Sequence, residues 1–164
     1  MKRHFVITAL GYLKPNVLPF TGIVEQHLTE LDGFGKVDYR DIVKPGYVKK
    51  FIYRGFLKSY YTECKFDSLT ELDFANVLEA DKNVIRWLRP ASNQFNIYWA
   101  NGSRRYEPDF IVETSDCIYM VETKALKDIP TEDVQAKKKA AEEYCKNASE
   151  YTAKHGGKPW KYHL

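Results

Sequence analysis

Two apolar runs, Phe110 to Val112 and Ile118 to Val121, flank the mostly polar stretch Glu113 to Cys117, and both are rich in branched or aromatic residues. That pattern predicts two short strands joined by a turn within Tyr106 to Ala125. A turn centred between Ser115 and Asp116 imposes an antiparallel register in which Asp109 lies opposite Glu122. Opposed residues project from the same face of a sheet, with Cβ atoms roughly 4.5–5.5 Å apart. Lys124 is two residues beyond Glu122, and the side-chain period of a strand returns it to that face. Pro108 has no amide proton for a ladder and marks the start of the first strand.

Two carboxylates so close repel each other unless a proton or a cation lies between them. A hard divalent ion meets that need, and the expectation is a Mg2+ site built from Asp109 and Glu122 with water and substrate phosphate. The bland alternative is a solvated hairpin that carries a cross-strand Glu-Lys pair.

A chain of 164 residues is the size of one domain and can bury a sizeable core. With 15% aromatic and 29% charged residues it reads as packed and soluble, not disordered. The net charge is only +3, so any nucleic-acid contact must come from local clusters. Cys64, Cys117 and Cys145 are widely spaced and odd in number, which fits reduced thiols in a cytoplasmic protein better than a disulfide framework or a zinc site. The start, Met1-Lys2-Arg3 followed by Phe5 to Leu13, imitates a signal peptide, but its apolar run is interrupted and it reads as a strand. No apolar run is long enough to span a bilayer, so no membrane is expected.

Residues 1–62 are punctuated by proline and glycine and suggest an extension of short strands and turns, with one short helix near Val24 to Leu31. From Tyr47 to Tyr61, Lys49, Lys50, Arg54 and Lys58 alternate with aromatic residues. Two readings stay open there: a surface that binds phosphates and stacks on bases, or a half-buried strand with one charged face.

Residues 63–164 are better organised. Ser68 followed by Glu71 is a capping box that opens a helix running to Ala80 or Asp81, with Leu72, Ala75 and Leu78 on one stripe. At ~100° per residue, Glu71 and Glu79 both border that apolar stripe, where an unpaired carboxylate is costly. Glu71 is either a cap or a site carboxylate, and Glu79 is the substitute for it, in need of a cation near the helix C-terminus. Gln94 to Trp99 alternates as a strand, Asn101-Gly102 is a hairpin turn, and Arg104-Arg105-Tyr106 leads back toward Asp109 in a three-stranded meander. Thr131 caps a second helix, with Glu132 and Asp133 in its first turn. Val134, Ala141, Cys145 and Ala148 form its apolar stripe, and Lys137 falls in the middle of it, either reaching a substrate phosphate or snorkelling to water. Gln135 lies off the stripe, and Trp160 to Leu164 reads as a closing strand.

The pair Pro108-Asp109 followed by Glu122-Thr123-Lys124 resembles the core motif of the PD-(D/E)XK nuclease superfamily. A longer run extends the likeness: Lys65 to Ser68, Glu71, Phe74-Ala75, Leu78-Glu79, Phe95, Tyr98, Tyr106 to Phe110, Gln135-Ala136-Lys137 and Gly156 to Tyr162. Together these residues resemble, in order and spacing, the C-terminal nuclease domain of type III restriction enzyme restriction subunits and related helicase-nucleases. The resemblance implies an α/β fold with a restriction-endonuclease-like mixed central sheet flanked by helices, an αβββαβ core, behind the N-terminal β-rich extension. It implies Mg2+-dependent hydrolysis of double-stranded DNA, with Mn2+ as a substitute. Asp109, Glu122 and the Thr123 carbonyl would hold the metal, Glu71 would complete its shell, and Lys124 would serve catalysis. Lys137, Gln135, Arg104 and Arg105 would contact DNA. The family's translocase phosphate loop is not found in this sequence, so the resemblance implies an excised domain whose partners are that translocase and a modification subunit. The alternative is a catalytically silent DNA-binding or docking module that keeps the same fold.

Overall fold

The computed structural model describes residues 28, 34–99, 104–124 and 130–164. The strand expected near the N-terminus lies outside them, as does the short helix near Val24 to Leu31 apart from Leu28. Among the described residues the chain is a mixed α/β protein with three sheets and two α-helices. Its first sheet joins β1 (Lys36–Asp38), β2 (Ile52–Arg54) and β3 (Glu63–Cys64), with a 3-10 turn at Pro45–Lys50 between β1 and β2. The stretch Tyr47 to Tyr61 is therefore not the long strand that its alternation suggested. Pro45 and Gly46 open the 3-10 turn, and Gly55, at φ 93°, ends the short strand that follows.

Helix α1 (Leu69–Ala80) follows β3. Ser68 Oγ accepts from the Glu71 amide at 3.2 Å, as a capping box requires. The reciprocal bond is displaced by one residue: the Glu71 carboxylate accepts from the Asp67 amide at 2.9 Å. Leu72, Ala75 and Leu78 are buried as their spacing predicted.

The central sheet has the order β4 (Arg86–Leu88), β7 (Phe110–Glu113), β8 (Ile118–Val121), β9 (Trp160–His163). Between β4 and β7 the chain makes a separate two-stranded hairpin, β5 (Ile97–Trp99) with β6 (Arg104–Tyr106). The expected meander of β5, β6 and β7 is thus corrected: β7 takes β4 as its antiparallel neighbour, and β6 pairs with β5 alone among the described strands. Local sequence proximity favoured the meander, but Trp87 and Leu88 are fully buried on β4 and supply the apolar strand that β7 needs beside it. The Asn101-Gly102 turn lies outside the described residues, while the strand pairs Ile97↔Tyr106 and Trp99↔Arg104 are symmetric about it. Strand β9 runs parallel to β8, a pairing that needs a crossover, and helix α2 (Glu132–Lys154) supplies it. Leaving the hairpin aside, the elements run α1-β4-β7-β8-α2-β9.

Alternation sorts the sheet into two faces. Leu88, Ile111, Ile118, Met120 and Trp160 pack with Ala141, Cys145 and Ala148 of α2. Trp87, Phe110, Val112 and Val121 pack with Leu72, Ala75 and Leu78 of α1. Val48, Tyr53, Phe56, Cys64 and Phe66 belong to that second cluster, so residues 48–66 share a core with α1 and the central sheet. All three cysteines are buried and unpaired with each other.

Glu79 anchors this junction. Its carboxylate accepts from the amides of Leu57 (2.8 Å), Lys58 (2.9 Å) and Ser59 (3.2 Å) and from the indole N–H of Trp87 (2.8 Å). Three consecutive backbone donors and one indole hold the carboxylate, while the expected cation, the Lys58 ammonium, bonds the Leu78 and Asp81 carbonyls at the same helix end. Glu79 is accordingly a structural acceptor and not the substitute site carboxylate. Glu79→Ala would orphan several donors at once, and since each bond to a charged group is worth roughly 1.5–3 kcal/mol, a stability loss of about 3 kcal/mol in urea unfolding is the expected outcome.

Candidate active site

The ladder between β7 and β8 pairs Phe110↔Val121, Ile111↔Met120, Val112↔Tyr119 and Glu113↔Ile118. One step beyond the strands this register sets Asp109 opposite Glu122, as the turn symmetry required. Glu122 extends the ladder, donating its amide to the His163 carbonyl of β9 at 3.0 Å. Ile111 and Met120 face α2, so by alternation Asp109, Glu122 and Lys124 stand at the end of that same face.

Each group is held differently. Asp109 Oδ2 accepts from both the amide and the hydroxyl of Thr123, each at 2.7 Å. Its Oδ1 takes no hydrogen bond among the described residues. Glu122 is 6% exposed, its Oε1 pairs with Lys124 Nζ at 2.8 Å, and its Oε2 is buried without a partner among the described residues. Burial and the facing charge of Asp109 push the Glu122 carboxyl above its ordinary range, with Lys124 and Lys137 opposing them. Burial works against the Lys124 ammonium, but the bond to Glu122 and the charges of Asp109 and Glu71 outweigh it and raise its pKa.

These free oxygens fit a hard cation. Mg2+ is commonly held by one or two carboxylates with the remainder of its shell filled by water and phosphate, and Asp109 Oδ1 with Glu122 Oε2 could supply such a pair. Among the described residues no three Asp, Glu, His or Cys side chains gather closely enough to enclose an ion. Glu71 instead approaches from α1, across the sheet, and is engaged elsewhere. Its Oε2 meets Arg89 Nη2 at 2.9 Å as well as the Asp67 amide. Burial raises its pKa, Arg89 opposes the shift, and Asp109 adds to it, so Glu71 and Asp109 feel each other's charge.

Lys137 is half-buried on α2, with its ammonium 5.7 Å from the centre of the Trp99 ring. Arg104 lies over the same ring at 5.2 Å and makes a long contact to Asp133 at 3.4 Å. Arg105 points elsewhere: it bonds Asn93 Oδ1 at 2.5 Å and approaches Glu107 at 3.9 Å. Gln135 is exposed, and Lys138 pairs loosely with Glu142 along the helix at 3.9 Å.

Sequence reasoning missed Arg89, Trp99 and two tyrosines. Tyr106 and Tyr162 feel the charges of Asp109 and Glu122, and burial is the first cause of the upward shift in both phenols. Trp99 could have been found by the rule that found Glu122, since hairpin symmetry about Asn101-Gly102 pairs it with Arg104. Arg89 gave no comparable signal, because its link to Glu71 joins the end of one strand to the start of a helix.

Comparison with family profiles, curated proteins and solved structures gives no match. No helix among the described residues is long and apolar enough to cross a membrane.

A carboxyl with a raised folded pKa keeps its proton where the unfolded chain has lost it. The fold then binds more protons, and stability falls as pH climbs from the ordinary value of 4.5 through the raised one. Glu122→Gln removes one source of that slope. Its melting temperature at neutral pH should exceed wild type by roughly 2–4 °C for each 1 kcal/mol relieved, with a flatter profile above about pH 5, read by thermal melts without metal.

Proposed function

We infer that this chain is a Mg2+-dependent DNA endonuclease domain of the PD-(D/E)XK type, similar to the cleavage domain of type III restriction enzymes. The observation that carries the reading is the acid pair: Asp109 opposed to Glu122, Lys124 at 2.8 Å, and a buried Glu122 oxygen without a partner among the described residues. The element order α1-β4-β7-β8-α2-β9, with three antiparallel strands and a fourth parallel to the third, supports a restriction-endonuclease-like αβββαβ core.

In this reading Asp109 and Glu122, with the Thr123 carbonyl, would hold the metal, and Mn2+ would replace Mg2+. The ion when bound supplies polarisation of the phosphoryl group and a water of lowered pKa. Thr123 fixes the Asp109 carboxylate through two bonds and leaves its other oxygen free. Lys124 bridges from Glu122 toward the scissile phosphate, where its charge orients the attacking water or stabilises the developing negative charge. Glu71, braced by Arg89, would act as an outer charge beside the metal. Lys137 and Arg104 neutralise phosphates, and Arg105 and Gln135 lie farther out along the duplex. The physiological partners of such a domain are a translocase and a modification subunit.

The second reading, a silent DNA-binding module, draws on one observation: Lys124 already occupies Glu122 Oε1. Metal binding separates the two. For the nuclease, Mg2+ or Mn2+ gives calorimetric heat with wild type and none with Asp109→Ala. Plasmid nicking in Mg2+ should fall by at least roughly 10²-fold in Asp109→Ala and Lys124→Ala, with unchanged far-ultraviolet circular dichroism. Undiminished nicking in both variants would sink the assignment, and a wild type without measurable metal binding would favour the module.

A further inference from the structure

Two cations converge on one indole. Arg104 from β6 and Lys137 from α2 lie 5.2 and 5.7 Å from the centre of the Trp99 ring. A ring quadrupole attracts a cation, but here it is shared between two like charges that repel each other. Neutralisation from the described residues is slight. Arg104 meets Asp133 only at 3.4 Å, with both side chains more than half exposed, where water screens the pair. Lys137 has no hydrogen bond or ion pair among the described residues. The Trp99 indole adds a third donor: the residue is 9% exposed, and its Nε1 is buried without an acceptor among the described residues. Buried indole N–H groups ordinarily find one.

Two cations and an unused donor at the seam between hairpin and helix make a site for an anion. It adjoins the acid-bearing face, since Trp99 and Tyr106 of the hairpin pack in one cluster with Ile111 and Met120, each two residues along its strand from an acid of the pair. We propose that Trp99, Arg104 and Lys137 form a second phosphate subsite, which grips the backbone phosphate neighbouring the scissile one. The choice of a nucleic-acid phosphate as the anion rests on the nuclease reading; the subsite itself rests on the hairpin. The β5-β6 hairpin, inserted between two strands of the central sheet, is then a strand guide. Its Trp99–Arg104 face fixes the path of the backbone past the acids, and Tyr98 with Arg105, paired on its other face, lies outside the subsite.

The test is binding of a short blunt DNA duplex to the whole chain in EDTA, followed by fluorescence anisotropy across a salt series. Each lost phosphate contact lowers the slope of log affinity against log salt by about 0.9. Arg104→Gln and Lys137→Gln should each show that fall with several-fold weaker binding, while Arg104→Lys and Lys137→Arg should restore the slope. Trp99→Phe keeps a ring and removes the N–H, so it should weaken binding with the slope unchanged. Should that variant melt early, the exposed Arg104 and the half-buried Lys137 carry the test. Unchanged slopes in both Gln variants overturn the subsite, as does a wild type that binds no duplex. Asp109→Asn should keep the wild-type slope while losing cleavage. A wild type that binds with these slopes yet never cleaves sinks the nuclease reading and leaves the subsite standing.

Discussion

Two carboxylates opposed across an antiparallel ladder are the constraint on which the rest of this structure turns. Asp109 and Glu122 sit where β7 begins and β8 ends, and the register that brings them together is the one that buries Phe110, Ile111, Met120 and Val121. A slip of one residue would turn that apolar set to the wrong faces. Hydrophobic burial thus enforces an electrostatic arrangement that is unfavourable by itself. Lys124 offsets part of the repulsion and Thr123 fixes Asp109, while burial, together with the remaining repulsion, raises the pKa of Glu122.

The flanking layers maintain that arrangement from both sides. Helix α2 covers the acid-bearing face and brings Lys137 to its end. Helix α1 covers the opposite face and delivers Glu71, whose charge is balanced by Arg89 lying over Phe66 and Phe110. Glu79, at the other end of α1, ties the segment 57–59 and Trp87 to the same helix. One helix therefore carries two partly or fully buried carboxylates with different tasks. Glu79 is saturated by backbone and indole donors and belongs to the architecture. Glu71 meets one guanidinium and one amide, and its field still reaches Asp109 and Lys124.

Much of the centre was legible in the residues. Both helices, their buried stripes, the Ser68 cap, the β7-β8 hairpin and the closing strand β9 follow from short-range periodicity and turn chemistry. The convergence of Asp109, Glu122 and Lys124 follows from counting about one turn. The neighbour of β7 could not be read that way. Sequence adjacency proposed β6, whereas β4 takes the position because pairing between separated strands is decided by which apolar surfaces complete a core. The donors around Glu79 were hidden for the same reason, being backbone groups some twenty residues away.

By itself the sequence determined the local elements, the register of one hairpin and the chemical character of its end, because those depend on neighbours a few residues apart and on the fixed periods of strand and helix. Only the tertiary structure decided which carboxylates remain available for chemistry. Glu71 and Glu79 border the same stripe of one helix, and the sequence pattern treats them alike. Their fates diverge through Arg89 and through Leu57, Lys58, Ser59 and Trp87, partners contributed by segments that only the folded chain brings within hydrogen-bonding distance.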